Sequence, residues 1–262
     1  MNEYERCLRI WGNWARSAPQ EIEGRLAHYH RSQAYHTIKI EYPELALNTA
    51  TAMWDSGRMV NYTGPIQPVL AVSNYRIASA MAEACLKGKE VLSVDLICGL
   101  QHALSCGLYD TQMYVYQEDR PGEFKQADSV NGLIDVGAGP EETEDALHEL
   151  IESMPRIADL NDTLVAATYL HARVMFLKPF AVMNGVISRM VMNYWLRTQN
   201  YPPVLIPSGE AARYRKCLEV FDVQEDIEPL ALFMSEKIAD FWGAQMSQKE
   251  ETKRNPIFTL RM

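Results

Sequence analysis

The chain has 262 residues, 47% of them hydrophobic, a formal net charge of −9 and a pI near 5.2. That length and apolar fraction supply one or two domains with a buried core, and the acidic balance argues against a general nucleic-acid or membrane-surface binder. The five cysteines, Cys7, Cys85, Cys98, Cys106 and Cys217, are odd in number, lack a C-x-x-C pair and point to free thiols in a reducing compartment. Charges run through the N-terminus, so neither a secretory signal nor a membrane span is predicted. A cytoplasmic location is expected, with export as an effector left open.

In chain order, the spacing of Leu8, Trp11 and Trp14 predicts a short N-terminal helix that docks on the body. Residues 21–41 read as a helix. Pro43 and Glu44 read as the first turn of the next one, with Gly57 as its cap. Residues 69–88 and 93–107 read as two antiparallel helices. Ile77, Met81 and Ala84 form the apolar stripe of the first, Leu96, Leu100 and Leu104 that of the second, and Ser93 is an N-cap. His102 lies on this pattern without metal-ligand spacing around it. Residues 111–138 lack helical periodicity. The β-prone pieces MYVY and LIDV flank Pro121-Gly122 and Asn131-Gly132 and predict a hairpin. A helix from Pro140 is expected to end at Met154-Pro155. Another starts at an Asn/Asp cap near 161–162 and runs to 177. After 200 come a short extended piece, YPPVLIP, and two helices over SGEAARYRKCLEVFD and IEPLALFMSEKIADFWGAQ.

The informative stretch is 171–189, HARVMFLKPFAVMNGVISR. An apolar helix stops at Lys178-Pro179, because proline cannot continue it. Asn184-Gly185 is a turn pair that tolerates left-handed backbone, and a second apolar helix follows. Backbone amides gathered at a helix N-terminus are a place for an anion.

This stretch resembles the Fic-domain signature H-x-F-x-[D/E]-G-N-G-R-x-x-R, with Phe180, Asn184, Gly185 and Arg189 matching. Lys178 stands at the position of the catalytic His, Val182 at the acid, Met183 at the first Gly and Val186 at the first Arg. The resemblance, which covers roughly 35–235, implies a mainly α fold: a Fic-type helical core with a small β-hairpin flap. The expected division is an N-terminal helical segment at 1–68, a Fic-like domain at 69–245 and a loose tail at 246–262. It also implies roles. Asn184, Gly185 and Arg189 would bind nucleotide or phosphate. Thr37 and Glu41 match an inhibitory motif, [S/T]-x-x-x-E, whose Glu pairs with the second signature arginine and blocks productive ATP placement, so Glu41 would face Arg189. Gly122, Phe124, Lys125, Val130, Asn131 and Gly132 would belong to the flap that clamps a protein target by main-chain pairing.

In the family, AMP passes from ATP to a Ser, Thr or Tyr hydroxyl. The His takes the hydroxyl proton, the acid holds Mg²⁺, and arginines and amides hold the phosphates. In this chain Val182 cannot bind a metal and Val186 cannot fork a phosphate. Lys178 becomes a base only by losing its proton, which desolvation or a neighbouring cation would have to favour. His171, two helical turns before Lys178, is not at the catalytic position and is rejected as a replacement. Two readings follow. In the first, a Fic-fold protein with a degenerate site acts by binding a protein partner at the flap, or a nucleotide or phosphate at the loop. In the second, an active adenylyltransferase uses unusual groups. ATP is an expected ligand and Mg²⁺ is not. Nucleic acid and membrane are not expected partners.

Overall fold

A computed structural model of the chain describes residues 3–59, 62–131, 134–135, 137–160 and 162–254. Among them are ten α-helices: α1 (Glu3–Ala15), α2 (Pro19–Glu41), α3 (Leu47–Ser56), α4 (Ile66–Lys87), α5 (Val94–Ser105), α6 (Pro140–Leu160), α7 (Thr163–Leu177), α8 (Asn184–Thr198), α9 (Ala211–Gln224) and α10 (Glu228–Arg254). α8 is buried at every position from Gly185 to Leu196. A helix with no solvent face is the core of its bundle, and α2, α4, α5 and α7 pack around this one. Side-chain caps begin two of the helices as expected. Ser93 Oγ accepts from the Leu96 N–H, and Asp162 Oδ1 accepts from the Leu164 N–H.

α1 docks on α10 through Trp14, 1% exposed, whose ring meets Trp242 edge-on at 4.9 Å. Its inward residues are Cys7, Ile10 and Trp14 rather than Leu8. Trp11 lies at the margin, stacked on Tyr201 at 5.0 Å. α4 turns the same way. Ile77 (58%) and Met81 (37%) are exposed, while Val72, Tyr75, Ala78 and Ala82 face inward. Small residues on the buried side let neighbouring helices approach closely, and periodicity alone does not say which stripe does so. On α5 the expected Leu96, Leu100 and Leu104 are the buried set.

Three local expectations are corrected. α6 runs through Pro155 to Leu160. The Ile151 carbonyl loses its helical donor there, but buried Met154 and half-buried Ile157 and Ala158 hold the turn against the core. The MYVY piece is a π-helical turn, Gln112–Tyr116. Asp110 starts it, its side chain accepting from the Met113 N–H at 2.9 Å and its carbonyl from the Tyr114 N–H at 3.0 Å. Arg120 then stacks over Tyr114 at 3.9 Å. Local capping and stacking outweigh β propensity where, among the described residues, no strand pairs with this piece. α3 begins at Leu47 rather than at Pro43-Glu44, because Lys39 Nζ holds the Pro43 and Leu45 carbonyls in the connection.

The expected flap reduces, among the described residues, to a two-residue antiparallel ladder. β1 (Val130–Asn131) pairs with β2 (Ile134–Asp135), Val130 opposite Asp135. Gly132 lies outside the described residues. Among the described residues the extended piece after α8 joins no strand. Its backbone is satisfied by side chains: Asn193 exchanges bonds with the Val204 N–H (2.7 Å) and carbonyl (3.0 Å), and Trp242 Nε1 donates to the Pro203 carbonyl at 2.7 Å. α10 is helical to Arg254, past the 246 boundary expected for a loose tail.

The inward set on α1 makes a prediction. Ile10→Ala should cost about 2–5 kcal/mol and Trp14→Ala about 3–5 kcal/mol in urea unfolding. Leu8→Ala should cost less than either. Equal losses at positions 8 and 10 would place the packing face of α1 elsewhere.

Candidate functional site

The loop at 178–183 is bracketed by two non-glycine residues in left-handed backbone. Lys178 (φ +46°) ends α7 and Met183 (φ +66°) precedes α8. The turn pair Asn184-Gly185 is instead the first turn of α8. A left-handed side-chain residue costs about 1–2 kcal/mol, so other contacts must fix the loop. Asn184 supplies two of them. Its Nδ2 donates to the Phe180 carbonyl at 2.6 Å, and its Oδ1 accepts from the Phe180 N–H at 3.0 Å. The Asn184 side chain, expected to bind phosphate, is thus spent on closing the loop. The first α8 amide to find a carbonyl is that of Ile187, bonded to Met183 O at 2.9 Å. The N–H groups of Asn184, Gly185 and Val186 have no intrahelical partner, which leaves the positive end of α8 facing the loop.

Glu41 sits at that end. It is the last residue of α2, where the helix field disfavours an acid. Its Oε1 accepts from Arg189 Nη2 at 2.7 Å. Gly185 touches it so closely that a Cβ there would overlap the carboxylate. Arg189 is 1% exposed. Its Nε donates to Thr37 Oγ1 at 2.9 Å, Nη2 also reaches the Thr37 carbonyl at 3.1 Å, and Nη1 donates to the Tyr214 hydroxyl at 3.4 Å. The geometry therefore brings Thr37, Glu41, Gly185 and Arg189 together, with Glu41 facing Arg189.

Tyr214 and His171 complete this cluster, and sequence reasoning gave neither a role. His171 is buried, with Nε2 2.8 Å from the Tyr214 hydroxyl. Burial, and then the Arg189 charge, push its pKa down to about 3, so the imidazole is neutral. It supports Tyr214 through that contact and by ring stacking at 5.7 Å.

Flap and loop are one structure at their roots. Gly122 (φ +80°) leaves no room for a Cβ, which would fall 2.8 Å from His102 Cβ and 3.0 Å from the Cys98 carbonyl. His102 Nδ1 meets the Pro121 carbonyl at 2.9 Å, so this histidine secures the Pro-Gly turn. Gln101, fully buried, takes the Gly122 N–H on Oε1 (2.6 Å) and gives Nε2 to the Val182 carbonyl (3.2 Å). Phe124 stacks on Phe180 at 5.8 Å and 5°. The Lys125 N–H donates to the Pro179 carbonyl at 3.0 Å. On the returning arm the Ala138 N–H reaches the Leu177 carbonyl at 3.3 Å. An isolated glutamine in an apolar helix gave no signal for the part Gln101 plays.

The four departures from the signature have distinct surroundings. Val186 is fully buried in the core and Met183 is 9% exposed. Val182 is half-buried and offers no ligand atom, so the position of the signature acid does not fit a metal. Lys178 is half-buried between the flap arms. Its charge reaches Asp222 on α9, whose carboxyl burial pushes above the usual range while Lys178 opposes. Asp222, Arg173 and Phe176 line a cavity of about 660 Å³ between α6, α7 and α9. The residues fit nucleotide phosphates only in part. The α8 amides and Arg189 are suited to them, but Glu41 already lies against both.

With this geometry in view, comparison with known proteins gives a resemblance. Residues 91–196 match the sequence model of the Fic/DOC family. Over 70 residues it is 34% identical to the protein adenylyltransferase Fic of Drosophila persimilis and 33% identical to that of Drosophila melanogaster. Each match spans 27% of this chain and 14% of the relative. The fold extends further. A Fic-domain-containing signalling protein from Bacteroides thetaiotaomicron superposes with a TM-score of 0.81 at 18% identity, covering 95% of this chain and 97% of that one. Residues 134–508 of Fic-1 from C. elegans superpose with a TM-score of 0.81 at 16% identity, covering 95% and 72%. Among the described residues no helix is long and apolar enough to cross a membrane.

Two measurements check the cluster. His171 is neutral when folded and protonates below pH 6.5 when unfolded, so its contribution is complete above pH 6.5 and is lost as pH falls toward 3. His171→Gln should flatten the fall in unfolding free energy between pH 6 and pH 4 by up to about 1.4 kcal/mol per pH unit. An unchanged slope would mean the imidazole is charged in the fold. Separately, Gly185→Ala should expel Glu41 from Arg189. In a double-mutant cycle the cost of Glu41→Gln should then shrink by about 1 kcal/mol or more relative to the Gly185 parent.

Proposed function

We propose that this protein is a catalytically impaired relative of the adenylyltransferases, acting by binding a protein segment at the flap, with nucleotide or phosphate as a secondary ligand of the loop. The observation that carries the reading is Val186. A hydrocarbon at the position of the first signature arginine is fully buried in the core, so that position presents nothing to a phosphate. Val182 removes the metal ligand and Lys178 the ready base. These losses fall on separate steps, and base loss alone costs about 10²–10⁴-fold. Restoring arginine at 186 would force a charge into apolar packing, so the loss is not reversed by one substitution. What persists is the part suited to binding: a closed loop fastened to both arms of the flap.

A second reading, AMP transfer from ATP to a target hydroxyl, is favoured by one observation. The Glu41–Arg189 pair is retained, and a block on nucleotide placement has a purpose only where nucleotide enters. The adenylyltransferase names of the Drosophila relatives point the same way.

ATP titration with and without Mg²⁺ separates the two. Glu41→Gly should tighten ATP binding by about tenfold or more over the parent, with little dependence on Mg²⁺, and Arg189→Ala should abolish the gain. No labelled adenylate should appear on the protein or on added targets. Adenylate transfer by the unmodified chain would overturn the binding reading, whereas absence of nucleotide binding would leave the protein partner as the sole ligand class.

A further inference from the structure

An indole N–H taken out of water needs an acceptor, and buried tryptophans find one for that reason. Trp242, fully buried, donates to the Pro203 carbonyl at 2.7 Å, and Trp11, at the margin, to the Asn200 carbonyl at 3.1 Å. Trp195, on the last turn of α8, does not follow the rule. It is 9% exposed, and its Nε1 is shielded from solvent without a hydrogen-bond partner among the described residues.

Trp195 is also part of the wall of a cavity. A space of about 850 Å³ lies between α2, α4, α6 and the end of α8. Its apolar lining is Leu26 and Leu92, both buried, Ile22, Leu86 and Ala158, half-buried, and Val91, left 78% exposed at the edge. That volume falls in the range of small-molecule sites, about 300–1,000 Å³. The lining shares no residue with the loop, the flap or the Arg189 cluster.

Charge narrows the class of occupant. Four carboxylates, Glu23, Glu83, Glu90 and Asp159, line the cavity against three cations, Lys87, Lys89 and Arg197. Lys87 meets Glu23 at 3.5 Å and Arg197 meets Glu83 at 2.8 Å. α4 ends there at Lys87 and α8 at Thr198, so two negative helix termini border the space. An anion is disfavoured on both counts. An ammonium group carries donors only and cannot accept from an indole N–H.

We propose that this cavity binds an uncharged small molecule with an apolar body and one carbonyl-type oxygen, and that Trp195 Nε1 donates to that oxygen. The body covers the apolar lining, Val91 included, and the oxygen supplies the acceptor that the fold leaves out. Because Nε1 is covered, seating the oxygen involves a shift of the side chains around the indole. Thr198 and Gln199, which follow it in the lining, are exposed. The site is independent of the flap-binding reading above.

The test uses the full chain with ¹⁵N in its tryptophan indoles. The probes are 2-acetylnaphthalene, 2-ethylnaphthalene, 2-naphthoate and 2-naphthylmethylammonium, which share one ring system and differ in acceptor and charge. 2-Acetylnaphthalene should move the Trp195 indole proton downfield and saturably, and 2-ethylnaphthalene should bind without that downfield shift. The two charged probes should bind about tenfold or more weaker than the ketone. Trp195→Phe keeps a ring and removes the donor. It should weaken the ketone by about fivefold or more and leave the hydrocarbon within about twofold. Ala158→Phe, which fills the space from α6, should weaken the ketone by about tenfold. A Trp195 signal that the ketone leaves in place, or that both neutral probes move alike, would overturn the proposal. So would tighter binding of either charged probe, equal losses of ketone and hydrocarbon in Trp195→Phe, or unchanged ketone binding in Ala158→Phe. The ATP titration described above bears on none of these outcomes, so the two readings fail separately.

Discussion

Arg189 is the interaction on which the site depends. A guanidinium at 1% exposure must have its donors filled, and the partners come from two other helices: Thr37 and Glu41 on α2 and Tyr214 on α9. Placing Glu41 last on α2 sets an acid at the negative end of one helix. That arrangement is stable because the same carboxylate lies at the positive end of α8 and on the guanidinium. Two unfavourable terms, a desolvated cation and a misplaced acid, therefore offset each other.

The loop depends on a different kind of constraint. Its ends are held in left-handed backbone by residues that do not favour it, and its closure comes from Asn184 bonding both backbone groups of Phe180. Met183 takes a conformation that glycine would adopt without strain, yet its side chain is mostly buried, so packing offsets the backbone cost. The Phe124–Phe180 stack and the Gln101 bridge then make the flap root part of the loop. A displacement of either arm would have to break the hydrogen bonds that tie it to the loop.

Much of this was legible in the sequence, for stated reasons. The helices around 21–41, 163–177 and 184–198 are long runs bounded by Pro, Asp and Asn-Gly signals, and the caps Ser93 and Asp162 are chemically distinctive. The Glu41–Arg189 contact was readable only through the family signature, because residues 148 positions apart carry no local signal. The faces of α1 and α4 were misread, since stripes of large and of small apolar residues share one period and the tertiary environment chooses between them. Pro155 and the MYVY turn were misread because packing and local capping overrode propensity. Gln101, Tyr214 and His171 act through three-dimensional convergence, which their types and spacing do not announce.

The pattern of substitution has its own logic. Hydrocarbon replaces the acid at 182 and the arginine at 186, while the residues that shape the loop, Phe180, Asn184 and Gly185, remain. If the loop required bound phosphate for its form, removing phosphate contacts would have destabilised it. Its form instead comes from Asn184, the Phe124 stack and the core burial of Val186, none of which involves a ligand. Shape and chemistry are separable here. Apolar residues at 182 and 186 remove groups that would otherwise need pairing when no nucleotide is bound, and a scaffold so arranged is stable without its ligand.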